Sequence, residues 1–557
     1  MAAREAGAAP SGGQILVEAL RRQGADMAFC VPGESYLDVL DALHDAGDCI
    51  RLVTCRQEGG AAFMAEAYGK LTGKPGICFV TRGPGATNAS IGIHTAYQDS
   101  TPMILFIGQV GSDFIDREAF QEVDYRRMFC PLAKWVSSID SVERIPEYIN
   151  KAYQVALSGR PGPVVLALPE DMLTATAAVR HTSAVHVAYP APPDDDMERL
   201  AGLLRQAERP LVILGGSGWT PQARSDMQTF VERAGLPVVT TFRRQDLFDN
   251  RHPNYAGYIG LGMGPDLARR VRQADLLIAV GTRLGEMATN GYALIEPACP
   301  GQTLVHIHVG AEELGSLYET ALPINAAMPE FCRRLGALAE FPAQRWELWT
   351  REGNLEYLND IKPQEQPFDV DFASIMAWLN NRLPQDSVVT NGAGNYTGWV
   401  HRYYQYGPLR IQLAPTNGAM GYGVPAAIAA KLAAPERTVV CFAGDGCYMM
   451  NGQELATAVQ FEANVVFIVV NNGMYGTIRM HQEMHYPHRP SATRLVNPDF
   501  ASLARSYGAH GETVTHTAGF GEAFERALAS GKPAVIELHT DPRAVTSRRI
   551  NREMAIE

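Results

Sequence analysis

The stretch from Gly444 to Asn472 constrains the fold most, because polar side chains follow two apolar runs there. The first run, 438–442, leads into a Gly-Asp-Gly turn that contains Asp445, and the second run, 465–470, ends in two asparagines. The residues between the two runs place apolar side chains at helical spacing. A strand, a helix and a strand in this order predict two parallel strands of one sheet with a crossover helix between them.

These two strand ends also predict a binding site. The carboxyl ends of neighbouring parallel strands meet at one edge of a sheet, so Asp445 would offer a charged oxygen and Asn472 a neutral one at the same place. Small hard cations such as Mg²⁺ prefer oxygen ligands, and the first amides of a helix can hold phosphate oxygens. A Gly-Asp-Gly turn alone is common, but its pairing with Asn-Asn indicates a magnesium-bound diphosphate.

Helical and strand patterns alternate along nearly the whole chain. A short strand at 27–31, for example, is followed by a helix near 36–46 and a strand near 50–54. This alternation predicts an α/β fold in which parallel sheets are covered by helices on both faces. We predict three doubly wound parallel-sheet domains, with the divisions 1–12 (flexible tail), 13–185 (first domain), 194–340 (second domain), 341–365 (linker) and 366–557 (third domain).

Composition narrows the class of protein. The 557 residues carry a formal net charge of −12, so neither nucleic acid nor an anionic membrane surface is an expected partner. No apolar run is long enough to cross a membrane, and the N-terminal residues lack the apolar core of a signal peptide. The nine cysteines show no Cys-x-x-Cys spacing, and Cys78 and Cys441 lie inside apolar runs. We expect a cytoplasmic protein with reduced thiols.

A Gly-Asp-Gly turn followed at this distance by Asn-Asn resembles the signature of the thiamine diphosphate enzymes. The resemblance extends through nearly the whole chain, and the acetolactate synthases are the most similar group. It implies that the three domains are, in order, pyrimidine-binding, central and diphosphate-binding. It also implies thiamine diphosphate and Mg²⁺ as cofactors, and a homodimer or homotetramer in which the first domain of one copy faces the third domain of another.

Glu58 is the residue on which the chemistry is expected to depend. From the residues alone, a glutamate between a strand and a helix is an ordinary first-turn residue that suits the helix dipole. In the related enzymes a glutamate at this point lies against the pyrimidine ring, so the resemblance implies that Glu58 shares a proton with a ring nitrogen. The amino group across the ring can then take a proton from the thiazolium carbon.

The resemblance assigns further residues to the cofactor. The carbonyl of Gly418 is expected to accept a hydrogen bond from the cofactor's amino group, and Met420 is expected to support its bent conformation. The expected magnesium ligands are Asp445, Asn472 and the carbonyl of Met474. The remaining expected cofactor-binding residues are Gly83 and Asn88 in the turn GPGATN, Asn395 and Tyr396 as diphosphate donors, and Gly444, Gly446, Cys447, Tyr475 and Gly476 around the diphosphate.

The expected substrate pocket departs from that of the acetolactate synthases. Phe120 and Gln121 match a family loop that borders the reacting carbon, where Gln121 could hydrogen-bond a substrate oxygen. Met287 stands where the family has an arginine that holds the second keto acid. Thr477 replaces a methionine, and His481 replaces a tryptophan. Both elements that select the acceptor are therefore changed.

The sequence leaves the binding of FAD open. Gly215, Gly216 and Arg283 resemble flavin-site positions of the synthases, whereas the segment 262–265 reads Gly-Met-Gly-Pro where the family has Gly-Met-His-Gly. A glycine-rich turn after a strand is typical of many nucleotide sites and does not by itself select a flavin.

The activity implied by the resemblance is decarboxylation of a 2-keto acid with carboligation to a second carbonyl compound, as in acetolactate synthase. Three alternatives stay open. The first is a C–C lyase or decarboxylase similar to benzaldehyde lyase or the 2-hydroxyacyl-CoA lyases, and the second is a flavin-dependent enzyme of the pyruvate oxidase type. The third is a non-catalytic member that uses the fold for assembly, against which Glu58 and the intact metal motif speak.

Overall fold

The structure is a computed structural model that describes residues 9–338, 341, 343–407 and 411–550. Contacts divide the chain into two compact units. The first contains the residues up to Ala188 together with 428–435 and 451–463, and the second contains 189–427, 436–450 and the residues from 464 onward. Residues 1–8 of the predicted tail lie outside the described residues, and the first helix begins at Gly12 after the capping residue Ser11.

The first unit contains a parallel sheet of six strands. The strands are β1 (Met27–Cys30), β2 (Arg51–Thr54), β3 (Gly76–Val80), β4 (Met103–Gln109), β5 (Trp135–Ser138) and β6 (Pro163–Pro169). The helices are α1 (Gly12–Arg22), α2 (Leu37–Asp45), α3 (Glu58–Thr72), α4 (Pro84–Asp99), α5 (Tyr125–Phe129), α6 (Ile145–Leu157) and α7 (Glu170–Thr174). The strand order is β2-β1-β3-β4-β6-β5, and every residue of β3, β4 and β6 is buried because helices cover both faces.

A second six-stranded parallel sheet lies in the other unit. Its strands are β7 (Pro210–Leu214), β8 (Val238–Thr241), β9 (Tyr255–Ile259), β10 (Leu276–Val280), β11 (Thr303–His308) and β12 (Leu322–Asn325). Its helices are α8 (Asp194–Gln206), α9 (Pro221–Ala234), α10 (Pro265–Gln273) and α11 (Met328–Leu335). The order β12-β11-β10-β7-β8-β9 is that of a doubly wound sheet with a reversal between β10 and β7.

Residues 341–365, which the sequence assigns to a linker, contain helix α12 (Glu347–Asp360). The helix is anchored on the second sheet's core just before its start. Trp346 is fully buried, and its indole N–H donates to the carbonyl of Ala207 at 3.0 Å. Trp349 makes a similar bond to the carbonyl of Pro210 at 2.9 Å. This segment therefore packs against the core of the second sheet.

A third parallel sheet follows in the same unit. Its strands are β13 (Val388–Asn391), β14 (Ile411–Leu413), β15 (Val439–Gly444), β16 (Val466–Asn471), β17 (His510–Val514) and β18 (Ala534–His539). The later helices are α13 (Phe372–Arg382), α14 (Thr397–Tyr403), α15 (Gly423–Ala433), α16 (Asp445–Asn451), α17 (Leu455–Gln460), α18 (Gly476–His485), α19 (Phe500–Ser506) and α20 (Phe520–Ala529). An antiparallel pair, β19 (Ala544–Thr546) and β20 (Arg549–Ile550), ends the described chain.

The order of the third sheet, β14-β13-β15-β16-β18-β17, repeats the order of the first sheet strand for strand. The three parallel sheets with flanking helices confirm the predicted α/β fold class. None of the described helices is both long and apolar enough to span a membrane. All nine cysteines lie in the described part of the chain and are free, and six of them are buried.

Candidate active site

The site predicted at Asp445 and Asn472 lies at one edge of the third sheet. β13, β15 and β16 are consecutive strands of this sheet, and parallel strands end at the same edge. Asp445 directly follows β15, and Asn472 directly follows β16. In the strand order, β14 lies on one side of β13, whereas β15 and then β16 lie on its other side, so the direction of the connections reverses between β13 and β15. This edge is therefore a topological switch point, where open α/β sheets bind their ligands.

Asp445 is buried and held by three hydrogen bonds. Its Oδ1 atom accepts from the Gly446 amide at 2.9 Å, and its Oδ2 atom accepts from the Gly473 amide at 2.9 Å and from Nδ2 of Asn497 at 2.7 Å. Burial raises the pKa of the Asp445 carboxyl, and the three donors oppose the rise. A carboxylate removed from water in this way is stabilised by a bound cation.

Asn471, the last residue of β16, and Asn472, the residue after it, have different partners. Oδ1 of Asn471 accepts from Asn497 at 2.9 Å, and Nδ2 of Asn471 donates to Glu537 at 2.7 Å. Oδ1 of Asn472 accepts from the Met474 amide at 3.2 Å, and Asn472 stays partly exposed. Asn471 therefore fixes the strand end, while Asn472 and Met474, two of the predicted metal ligands, lie side by side.

The structure has no separate Gly-Asp-Gly turn: Gly444 is the last residue of β15 and Gly446 lies in the first turn of α16, and side chains at both positions would collide with neighbouring atoms. A Cβ atom on Gly446 would lie 2.5 Å from Cε1 of Tyr475, and a Cβ atom on Gly444 would lie 3.1 Å from Cδ1 of Tyr396. Glycine at both positions lets the rings of Tyr475 and Tyr396 pack directly against the backbone where β15 meets α16. Together with the buried carboxylate of Asp445, these residues fit a magnesium-bound diphosphate.

Gly446→Ala is expected to lower the free energy of unfolding by about 1–3 kcal/mol, because the added methyl group overlaps with Tyr475. Denaturant unfolding followed by circular dichroism measures the change. The matched control is Gly519→Ala, since Gly519 has a φ of −79° and no described atom within 4 Å of its Cβ position. The control should stay within about 0.5 kcal/mol of the wild type. An equal loss in both variants would contradict the tight packing at Gly446.

The side chain of Asn395 already has partners within the chain. Its Nδ2 atom donates to the carbonyl of Val545 at 2.9 Å, and its Oδ1 atom accepts from the hydroxyl of Thr477 at 2.9 Å. Thr477, predicted for the substrate pocket, thus holds Asn395 in place. The donor that the sequence assigns to a diphosphate is used inside the protein.

Tyr396 is buried, and its hydroxyl points into the protein. The hydroxyl accepts from the Gly392 amide at 3.0 Å and donates to Sγ of Cys447 at 3.5 Å. Burial raises the pKa of Tyr396. Sγ of Cys447 also accepts from the Gly421 amide at 3.2 Å. The hydroxyl of Tyr396 therefore connects Gly392 to Cys447. Through its sulfur, Cys447 in α16 contacts both Tyr396 and the loop at Gly421.

The segment after Asp445 differs from the single helix that the spacing predicts. α16 ends at Asn451, a 3₁₀ turn spans Gly452–Glu454, and α17 begins at Leu455. Glycine is a poor helix former, which accounts for the break at Gly452. The part from Asn451 to Ala463 belongs to the first compact unit, although its sequence neighbours belong to the second.

The remaining predicted residues of the third domain lie in loops beside this edge. Gly418 has a φ of +72°, and no described atom lies within 4 Å of its Cβ position. Met420 is partly buried against the core of the third sheet. The Tyr475 amide donates to the carbonyl of Thr493 at 2.8 Å, which fixes the loop before Gly476 at the start of α18.

Glu58 is the first residue of α3 and is partly exposed. Its Oε2 atom accepts from Nδ2 of Asn88 at 2.9 Å, so the structure brings these two predicted residues together. The sequence predicts a turn over GPGATN, whereas α4 begins at Pro84 and only Gly83, with a φ of +47°, lies outside it. Asn88 reaches Glu58 because it lies within a helix that packs along α3.

The loop that carries Phe120 and Gln121 lies against Gly83. Gln121 has a φ of +64°, and a Cβ atom on Gly83 would lie 2.7 Å from the Gln121 carbonyl oxygen. The Gly83 amide donates to the hydroxyl of Tyr125 at 2.9 Å, and Nε of Arg82 donates to the Phe120 carbonyl at 3.2 Å. Phe120 is 72% exposed, and the guanidinium carbon of Arg82 lies 6.0 Å from the centroid of its ring. Sequence patterns give no signal for Arg82 or Tyr125.

Two further residues of the predicted substrate pocket are exposed. Met287 lies in a turn, and its carbonyl oxygen would be 2.6 Å from a Cβ atom on Gly260. His481 lies on α18 and stacks on His485 with the ring centroids 6.3 Å apart.

The glycine turn that resembles a flavin site has internal partners. The carbonyl of Gly215 accepts from the indole of Trp219 at 2.8 Å, and the carbonyl of Gly216 accepts from Arg244. Arg283 lies in the segment after β10. These contacts hold the backbone of the glycine turn in place.

Comparison with protein families places the chain among known proteins. The N-terminal TPP binding domain of thiamine pyrophosphate enzymes matches residues 10–128, the central domain matches 197–335, and the C-terminal TPP binding domain matches 392–538. The chain belongs to the thiamine pyrophosphate enzymes, which confirms the family predicted from its Gly-Asp-Gly and Asn-Asn motif.

Within this family the chain is similar to acetolactate synthases along almost its full length. It is 31% identical to the acetolactate synthase isozyme 2 large subunit of Escherichia coli K12, over 95% of this chain and 96% of the relative. It is 31% identical to the probable acetolactate synthase large subunit of Methanocaldococcus jannaschii, over 95% and 92%. It is 33% identical to the acetolactate synthase of Arthrospira platensis, over 95% and 94%.

Proposed function

We propose that this enzyme uses thiamine diphosphate and Mg²⁺ to decarboxylate a 2-keto acid and join the remaining fragment to a second carbonyl compound, as acetolactate synthases do. The observation that carries the proposal is the buried carboxylate of Asp445 at the switch point of the third sheet, where β15 meets α16. The similarity to acetolactate synthases over 95% of the chain supports the same reaction class.

The diphosphate half of the site holds the metal and the phosphate oxygens. Asp445, Asn472 and the carbonyl of Met474 bind Mg²⁺, since all three offer oxygens and Asn472 already lies beside Met474. The Cys447 amide donates to the diphosphate. The Gly446 amide, which is expected to do the same, donates to Oδ1 of Asp445 at 2.9 Å and holds this carboxylate instead. A backbone amide takes the task because the Asn395 and Tyr396 side chains also have partners elsewhere.

The bound cofactor supplies a nucleophilic thiazolium carbon and accepts the electron pair released when carbon dioxide leaves. Glu58 holds a proton at the pyrimidine ring nitrogen through Oε1, because Oε2 is engaged by Asn88 at 2.9 Å. A Cβ atom on Gly85 would lie 3.4 Å from Oε1, so the glycine leaves that oxygen accessible. The carbonyl of Gly418 and the side chain of Met420, both from a second copy of the chain, orient the ring, and Gln121 hydrogen-bonds the substrate oxygen.

The acceptor pocket is the part in which this enzyme is expected to differ from its relatives. Phe120, Met287, Thr477 and His481 are its proposed lining, and three of these replace the arginine, methionine and tryptophan implied by the resemblance. Loss of an arginine removes the usual partner of a carboxylate. A neutral aldehyde or ketone acceptor is therefore compatible with this lining.

We also propose a homodimer or homotetramer in the cytoplasm, a reducing compartment that suits nine free cysteines. Sedimentation equilibrium of the purified protein tests the assembly, and a monomer would overturn it. Thiol titration of protein isolated without reductant tests the compartment, and fewer than nine reactive thiols after denaturation would contradict it.

Product analysis tests the reaction and separates the alternatives. The protein with Mg²⁺ and thiamine diphosphate is given ¹³C-labelled pyruvate, alone and with 2-ketobutyrate or benzaldehyde, and products are followed by NMR. The proposal predicts carbon dioxide and a coupled 2-hydroxyketone. Cleavage of benzoin without coupling would favour a lyase, whereas a yellow protein that releases peroxide would favour a flavin oxidase. Calorimetry that detects no cofactor binding would favour a non-catalytic member.

A further inference from the structure

Glu454 is a buried carboxylate with no task in the mechanism above. It lies in the 3₁₀ turn Gly452–Glu454, and its side chain is fully buried in the first compact unit. A charged side chain without contact to water costs folding energy unless hydrogen bonds replace the lost hydration. The buried carboxylate of Glu454 therefore needs hydrogen-bond donors around it.

The partners of Glu454 are the two residues that precede Glu58. Oε1 accepts from the Arg56 amide at 3.0 Å and from the Gln57 amide at 3.0 Å, and Oε2 accepts from the Arg56 amide at 3.2 Å. The hydroxyl of Thr457 also donates to Oε2 at 2.6 Å. The carboxylate of Glu454 thus fixes the backbone of Arg56 and Gln57, the two residues directly before Glu58.

Two neighbouring features are built around this contact. A Cβ atom on Gly60 would lie 2.6 Å from Oε1 of Glu454, so only glycine leaves room for the carboxylate. Gln57 caps α3 by accepting from the Gly60 amide at 3.1 Å, which fixes the helix start. The guanidinium group of Arg56 turns away toward Gln460 at 2.6 Å, so the hold on residues 56–57 comes from neutral backbone donors.

We propose that Glu454 is a positioning residue for the reaction: its carboxylate holds the backbone of Arg56 and Gln57 and thereby orients Glu58 toward the pyrimidine ring. This inference rests on the proposed role of Glu58. Glu454 itself touches neither cofactor nor substrate. A displacement of about 1 Å at a reacting group can cost about 100-fold in rate, so loss of this hold should appear in kcat.

The test compares Glu454→Gln, Glu454→Asp and the control Glu462→Gln, since Glu462 is an exposed glutamate of the same segment. The amide of Glu454→Gln keeps one acceptor but turns an N–H group toward existing donors. Hydrogen–deuterium exchange of the peptide 54–60, read by mass spectrometry, should become about 10-fold faster or more in this variant. Glu454→Asp keeps the charge and should show a smaller change, and the control should show none.

The same variants are then assayed with saturating cofactor. In Glu454→Gln we expect kcat to fall by about 10- to 100-fold, while the Kd for thiamine diphosphate changes by less than about threefold. The exchange rate of the C2 proton of the bound cofactor, measured by quenched-flow NMR, should fall with kcat. Unchanged exchange of the peptide 54–60 in both Glu454 variants would overturn the proposal.

Two other outcomes are also decisive. A loss of activity that matches the fraction of misfolded protein, with normal C2 exchange per bound cofactor, would make Glu454 merely structural. Wild-type protein that binds no thiamine diphosphate would overturn the proposed function and the catalytic part of this inference. Even then, exchange of the peptide 54–60 decides whether Glu454 fixes the backbone before Glu58.

Discussion

Glu58→Gln is expected to lower the rate of carbon dioxide release by about 10²- to 10⁴-fold, the range that a positioned proton-transfer group contributes. A glutamine cannot share a proton with the ring nitrogen, although it can keep the hydrogen bond from Asn88. Binding of the diphosphate half should be unaffected, so the Kd for thiamine diphosphate should change little. Single-turnover decarboxylation and calorimetry measure the two quantities.

Glu462→Gln is the matched control for this variant, because it removes an exposed carboxylate from the same compact unit. It should retain wild-type kcat and Kd. Near wild-type turnover in Glu58→Gln, with the cofactor bound, would remove Glu58 from the mechanism. A loss of cofactor binding that accounts for all of the lost rate would give Glu58 a binding role instead.

Asp445→Asn is expected to weaken binding of the magnesium–thiamine diphosphate complex by about 100-fold or more, since loss of a group that merely orients a metal ligand already costs about 10- to 100-fold. The substitution removes the charged oxygen that the site offers to the cation, and it faces the amides of Gly446 and Gly473 with an N–H group. Isothermal calorimetry at fixed Mg²⁺ concentration measures the affinity.

Asp369→Asn serves as the control for the metal site, because Asp369 is exposed and lies in the same unit. Its affinity should equal that of the wild type. The thermal midpoint of each variant without cofactor establishes that the protein is folded. An Asp445→Asn protein that is folded and binds the cofactor as tightly as the control would show that Asp445 is not a magnesium ligand.

The central strands of the three sheets can be predicted from the sequence because they are nearly continuous apolar runs, as in β4 and β10. Four strands of these sheets that the sequence did not predict, β5, β9, β12 and β17, are edge strands, and the antiparallel pair β19 and β20 was not predicted either. An edge strand pairs on one side only, and polar residues interrupt the apolar pattern in β5 and β17. The repeated strand order of the first and third sheets is a tertiary property that no local pattern encodes.

Some residues of the candidate site can likewise be predicted from the sequence, whereas others depend on tertiary contacts. Asp445 and Asn472 can be found from the sequence because each follows a predicted strand. Asn497 contacts Asp445 from 52 residues farther along, and Glu454 contacts Arg56 across 398 residues, so neither has a spacing that a motif could capture. The inward orientation of Tyr396 also depends on its tertiary partners.

A crystal structure of the protein with thiamine diphosphate and Mg²⁺ would show whether Asp445 binds the metal ion and Glu58 the pyrimidine ring. We predict Mg²⁺ at about 2.1 Å from oxygens of Asp445, Asn472 and the Met474 backbone, and a Glu58 carboxylate oxygen at about 2.7 Å from the pyrimidine ring nitrogen. A cofactor whose pyrimidine ring has no glutamate within hydrogen-bonding distance, or a metal ion bound away from Asp445, would contradict the proposed function.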